Sequence, residues 1–325
     1  MLMRQMPEEP DFDELEGLVR DPREYTFPNP MTRLSRDLRK AAATLSLQEV
    51  RYLVDLYYEA QRYRIASGNQ VKALLRAQPE PEPESLLGWA NFSFDLIELE
   101  IRRGLDVFGR AEPTGLGSWL RSITGIGPVL TAGLLAHVQP GEKRTVGQIW
   151  RFAGLDPTSK WEPNEKRPWN ASLKVICYKA GESFVKVQGN KNDIYGKVYA
   201  SRKAIEIARN EGDLFREQAE AILATRKIRR TTEAYKAYSV GKLPPGHIHA
   251  RARRYAVKLF LSHYYEVGFF IAHGELPPVP YVVSHLAHVD LIPAPHADLI
   301  PGLEEAQAAR ERDLRDGRSG GAADS

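Results

Sequence analysis

Residues 119–136 read Trp-Leu-Arg-Ser-Ile-Thr-Gly-Ile-Gly-Pro-Val-Leu-Thr-Ala-Gly-Leu-Leu-Ala. The chemistry open to this spacing is anion capture by main chain. Gly125 and Gly127 permit positive φ and put no side chain between the backbone and a phosphate. Ile126, between them, is placed to plug a turn into a core. Pro128 suits the first turn of a helix, where its missing N–H costs nothing. Exposed N–H groups at such a helix start attract an anion. Ala132 and Gly133 let the second helix of the hairpin pack closely against the first. The pattern is a helix-hairpin-helix, which grips phosphate without reading bases. Thr124 and Thr131 bracket the turn, and Arg121, Lys143 and Arg144 are the cations nearest in sequence. The competing reading is an ordinary tight turn between helices, its glycines serving geometry alone.

Two further basic groups invite the same chemistry. Arg226, Lys227, Arg229 and Arg230 form one compact cluster. Arg251, Arg254 and Lys258 recur at three- and four-residue spacing, so they share one helix face. That face either tracks phosphates or forms ion pairs with the acidic N-terminal helices. Trp161 and Trp169, interleaved with Lys160, Lys166 and Arg167, either stack on unpaired bases or anchor a loop. The histidine pairs His247/His249 and His285/His288 have no accompanying carboxylate or cysteine set, so no metal site and no cofactor are expected.

The charge distribution points the same way. Net charge is only +3, yet residues 141–260 carry 25 Lys and Arg against 12 Asp and Glu, and the remainder carries 20 against 30. A basic middle between acidic flanks suggests one surface turned to a polyanion. With 42% hydrophobic and 27% charged residues, the composition is that of a folded globular protein. Cys177 is the single cysteine, which excludes an intramolecular disulfide and a thiolate zinc site and suits a reducing, cytoplasmic setting. No apolar run approaches the roughly 20 residues that span a bilayer. The acidic first residues lack an apolar signal core.

The elements that must position these residues are helical. Residues 1–30 read as a flexible acidic arm. Residues 31–112 read as a long antiparallel helical hairpin or coiled coil, and this pair of helices is the segment expected to make the chain a homo-oligomer. Its first long helix opens on the capping box Ser46–Glu49 and carries Val50, Leu53, Val54, Leu56, Tyr57 and Ala60 as an apolar stripe. It stops before the proline run at 79–83. Its second carries Leu87, Trp89, Phe92, Phe94, Ile97, Ile101, Leu105 and Phe108. Residues 113–274 read as the helix-hairpin-helix domain with a basic helical region, with helices over about 145–152, 170–187, 193–228 and 246–273. Residues 275–325 read as a proline-rich arm with one short helix and a disordered tail. Tyr281-Val282-Val283 is too short to found a sheet, so the fold class is all-α.

The segment Ile149-Trp-Arg-Phe-Ala-Gly-Leu-Asp-Pro157 follows the hairpin. Over residues 119–157 the chain resembles the C-terminal domain of the Piv/MooV-like transposases, the insertion-sequence 110/116/902 group, in which an aromatic-Ala-Gly-Leu-x-Pro element follows such a hairpin. The resemblance implies a DNA-recombination protein, or a relative that keeps the DNA-binding half, acting on duplex or branched DNA and working with a structured RNA. That family carries a ribonuclease H-type nuclease domain with four acidic metal ligands. Here the first 110 residues lack the alternating strand pattern for it. The family also places a nucleophilic serine after the Gly-Leu-x-Pro element. Ser159 and Ser172 occupy that region without the expected Ser-Gly context, and a loop or capping role competes for Ser159.

Two other functions fit the residues. A helix-hairpin-helix DNA glycosylase would use an aspartate downstream of the hairpin against the sugar of a flipped base, with Asp156 as the candidate. A non-enzymatic scaffold would use the helical hairpin for dimerisation and the basic half for a protein partner.

Overall fold

The computed structural model describes residues 33–77, 86–143, 145–162, 164–278 and 292–320. The expected arm at 1–30, the proline run at 79–83, Arg144, Tyr281–Val283, His285 and His288 lie outside the described residues. All regular structure among those described is helical, without a strand. The chain divides into two compact units, Met1–Ala111 and Glu112–Ser325.

The first unit holds α1 (Arg36–Ala41), α2 (Leu47–Ala77) and α3 (Leu86–Ala111). The capping box forms: the Ser46 N–H donates to Glu49 at 2.7 Å, and the Glu49 N–H donates to Ser46 Oγ at 3.3 Å. The partners run in opposite senses along the two long helices, with Gln61 on Glu98, Arg64 on Asp95 and Glu98, and Ser67 on Asn91. α2 and α3 are therefore antiparallel. Val50, Val54, Tyr57 and Ala60 are buried as the stripe requires, whereas Leu56, expected with them, is 51% exposed. The expected α3 stripe is fully buried only toward its end, at Leu105 and Phe108, and Trp89 is exposed.

The second unit holds α4 (Leu116–Ser122), α5 (Pro128–His137), α6 (Val146–Phe152), α7 (Ala171–Lys186), α8 (Tyr195–Glu211), α9 (Arg216–Thr225), α10 (Glu233–Ser239), α11 (Pro245–His273) and α12 (Leu303–Gly320). The single helix expected over 193–228 is two. Gly212 follows α8, and Asp213 adopts φ +61°, a left-handed conformation no helix interior accepts. The second piece ends at Thr225, which leaves the basic cluster at 226–230 in a loop.

α11 is the axis of this unit. Its Phe260 meets Trp119 of α4, Phe184 of α7 and Tyr195 of α8, with ring centroids 6.5, 5.4 and 5.3 Å apart. All four rings are fully buried, so one aromatic cluster fixes the helices that carry the hairpin.

The C-terminal residues also differ from expectation. Residues 292–300 are bound to the core and α12 spans 18 residues. The Trp119 indole N–H donates to the Pro295 carbonyl at 2.7 Å. His263 Nε2 lies 2.9 Å from the Ile292 carbonyl, which only accepts, so Nε2 carries the proton and Nδ1 accepts from the Tyr195 hydroxyl at 2.7 Å. Burial lowers the His263 pKa to about 4, so the ring is neutral. Glu266 receives the Ala294 N–H, Gln307 and Arg310. These pairings span 28 to 176 positions of sequence, beyond the reach of local pattern. No helix among the described residues is long and apolar enough to cross a membrane.

Candidate nucleic-acid interface

The segment 123–127 joins α4 to α5. Gly125 takes φ +97°, where glycine is favoured, and a Cβ there would stand 3.3 Å from each of Phe184 and Ser183 on α7 and Val187 just after it. Gly127 is different. Its backbone is extended at φ −86°, and a Cβ there would meet nothing within 4 Å. Of the two glycines, only Gly125 is required by the turn itself. Ile126 is buried, as its place in the motif suggests. Gly133 does not face α4: it lets Ile176 of α7 approach α5.

Side chains from outside the turn bond its carbonyls. Ser183 Oγ donates to the Gly125 carbonyl at 2.6 Å, and Arg121 Nη1 donates to the Ile126 carbonyl at 3.0 Å. The Thr131 N–H closes the first turn of α5 on the Gly127 carbonyl. Among the described residues no hydrogen bond engages the N–H groups of Gly125, Gly127, Val129 or Leu130. The Ile126 N–H donates to the Ile123 carbonyl at 2.9 Å, so the amides of Gly125 and Gly127, on either side of it, are left without a partner among the described residues. An open cleft of about 410 Å³ is lined by residues 121–127, Gly125 and Gly127 among them, whereas Val129 and Leu130 are buried and do not line it. Such a surface favours an anion.

The side chains assigned to this turn from sequence divide. Arg121 braces the Ile126 carbonyl while lining the cleft. Thr124 and Pro128 are half-buried at the turn. Thr131, expected to face a ligand, is fully buried on the inner face of α5. Lys143 lies 5.9 Å from the Phe152 ring centroid. Sequence reasoning missed Ser183, 58 positions from its partner, and the exposed Lys186 on the same α7 turn. Only the hydroxyl-to-carbonyl contact reveals the first.

The other basic residues come together more than their spacing implies. Arg226, Lys227, Arg229 and Arg230 are exposed, and none forms an ion pair among the described residues, while Ile228 packs into the core of α9–α11. Arg251 is different. Its guanidinium is bound to the buried Glu206 at 2.8 Å, which Arg202 also holds, and lies over Phe215. It is a structural cation, and the partner is on α8 rather than on the acidic N-terminal helices. Arg254 is exposed and unpaired among the described residues. Partial desolvation, with Arg251 and Arg253 nearby, lowers its pKa. Lys258 Nζ stands 4.2 Å from the Trp150 ring centroid; burial and Arg254 lower its pKa, against the opposing pull of Asp156. Trp169, a half-buried anchor, has Lys174 Nζ 4.1 Å from its ring.

Asp156 sits in a turn. Its carboxylate accepts from the Thr158 N–H at 2.9 Å and hydroxyl at 2.7 Å, and these bonds lower its pKa, with help from Arg151 and Lys258. Ser159 Oγ reaches the same carboxylate at 3.5 Å, in keeping with a loop role. Ser172 is half-buried in the first turn of α7, whose cap is Asn170. Apart from this turn contact of Ser159, no side-chain base lies within hydrogen-bond reach of either serine among the described residues. Among the described residues no group of three or more His, Cys, Asp or Glu is arranged to hold a metal.

Comparison of the chain with models of known protein families, with curated proteins and with solved structures finds no match.

Proposed function

We propose that this chain binds nucleic acid, gripping the phosphate backbone of DNA through the turn at 123–127, and that it is related to transposases and site-specific recombinases of the Piv/MooV-like group. The observation that carries the reading is that the amides of Gly125 and Gly127 have no hydrogen-bond partner among the described residues, in a segment that lines an open cleft. The open space at Gly127 adds to it, because glycine there answers no packing need and leaves a path for a phosphate. The unpaired cations at 226–230 and at Arg254 supply the charge that a polyanion neutralises. The glycosylase alternative gains nothing from Asp156, whose oxygens serve a turn. The exposed Tyr52, Leu56, Tyr63 and Leu74 along α2 support self-association through the helical hairpin, which sedimentation of the purified protein reads directly.

The test is fluorescence anisotropy on duplex and four-way-junction DNA at several salt concentrations, with wild type and Gly127→Ala. The expected result is binding that weakens steeply with salt and a loss of about tenfold or more in the variant, on the order of one or two charge-assisted hydrogen bonds. Binding that ignores salt, or a variant that binds as wild type, overturns the assignment of the hairpin.

A further inference from the structure

The cations Lys174, Arg254 and Lys258 come from two helices 80 residues apart in sequence, and no carboxylate pairs directly with any of them among the described residues. Arg254 is close enough to both lysines to disfavour their charged forms. Two of the three are steadied by tryptophans, Lys174 at Trp169 and Lys258 at Trp150. Arg167, which also acts on Lys174, lies 4.8 Å from the ring of Trp161. Asp156 partly offsets Lys258, but no carboxylate acts on Lys174 or Arg254 among the described residues, and like charges so assembled suit a polyanionic partner.

Two exposed rings, each beneath an arginine that neighbours these cations, are the second observation. Trp161 is 46% exposed and Tyr178 is 52% exposed. Tyr178 lies one helical turn beyond Lys174 on the same face of α7, and Arg253, next to Arg254, stands 4.1 Å from its ring. Neither ring is needed by the core. Paired bases in a duplex keep their faces stacked on one another, whereas an unpaired strand offers base faces to flat side chains and phosphates to cations. Alternating rings and cations match that ligand rather than a second duplex.

We propose that the surface of Trp161, Lys174, Tyr178, Arg254 and Lys258 binds an unpaired strand of nucleic acid, its phosphates on the three cations and its bases on the two exposed rings. This rests on reading the chain as a nucleic-acid-binding protein, and it names the form of substrate: DNA with an unpaired stretch beside the duplex that the hairpin holds.

The experiment uses the full chain and three labelled probes: an oligodeoxythymidylate, a blunt duplex, and the same duplex with an oligodeoxythymidylate overhang. The double variant Trp161→Ala/Tyr178→Ala and the single variant Arg254→Gln are compared with wild type and with Gly127→Ala, folding being checked by circular dichroism. Wild type is expected to bind the overhang duplex more tightly than the blunt one. The ring variant is expected to lose about 5- to 100-fold on the oligodeoxythymidylate and to keep its affinity for the blunt duplex. Arg254→Gln is expected to weaken the oligodeoxythymidylate too. An overhang that adds no affinity, or a folded ring variant that binds the oligodeoxythymidylate as wild type does, overturns the proposal. Binding of the oligodeoxythymidylate without binding of the blunt duplex supports this surface while removing the hairpin reading. Loss of blunt-duplex binding in Gly127→Ala alone, with oligodeoxythymidylate binding retained, supports two separate sites.

Discussion

Ser183 Oγ donates to the Gly125 carbonyl at 2.6 Å, across 58 positions of sequence. The bond pins the hairpin turn to the last turns of α7 and removes an acceptor from the turn. With the Ile126 carbonyl held by Arg121, the amides of Gly125 and Gly127 are left unbonded among the described residues, in the segment that lines the cleft. The polarity of this turn is therefore made by side chains from outside the motif as well as by its glycines.

Ser183→Ala removes that pin and leaves the Gly125 carbonyl without its partner. The expected cost is about 1 kcal/mol of stability, read by urea denaturation, together with weaker duplex binding. An unchanged unfolding midpoint and unchanged affinity would show that the turn holds its shape unaided.

The two glycines of the turn separate folding from binding. Gly125→Ala forces a non-glycine residue to φ +97° and crowds Phe184, Ser183 and Val187, so a loss of about 1–3 kcal/mol is expected. Gly127→Ala meets open space in an extended conformation and is expected to leave the thermal midpoint close to wild type. Equal destabilisation by both substitutions would contradict this division.

His263 makes stability depend on pH. Its pKa falls from an ordinary 6.5 to about 4 in the folded protein. Between those values the unfolded chain binds a proton that the folded one refuses, so stability is complete above about pH 6.5 and declines as pH falls toward 4. The decline amounts to about 3 kcal/mol. His263→Gln is expected to flatten this part of the profile in denaturant titrations from pH 4 to 7. A slope that survives the substitution would place its origin in other groups.

The loop at 226–230 bears on salt dependence. If Arg226, Lys227, Arg229 and Arg230 meet phosphates, changing them together to glutamine lowers the slope of log K against log salt by about 0.9 for each phosphate of duplex DNA they cease to neutralise. The same change is expected to leave the thermal midpoint nearly unaltered, because all four side chains are exposed and Ile228 alone packs inward. A slope equal to that of wild type would remove this loop from the interface.

The amino-acid order by itself determined the features that depend on near neighbours. The all-α class, the capping box at Ser46 and Glu49, the end of α6, the proline start of α5 and the burial of Ile126 all follow from propensity, capping and periodicity over a few residues. Gly212 marks the break between α8 and α9, although the helical periodicity of 193–228 runs on past it. Tertiary structure alone decided which cations stay available. Arg251 and Arg254 lie on one face by spacing, yet the buried carboxylate of Glu206 claims the first and leaves the second. It also decided that Thr131 turns inward, that Ser183 completes the hairpin, and that residues 292–300 bind the core through Trp119, His263 and Glu266. The physical reason is common to these cases. Burial and hydrogen-bond satisfaction are settled between elements distant in sequence, and a repeat of three or four residues carries no information about what lies opposite.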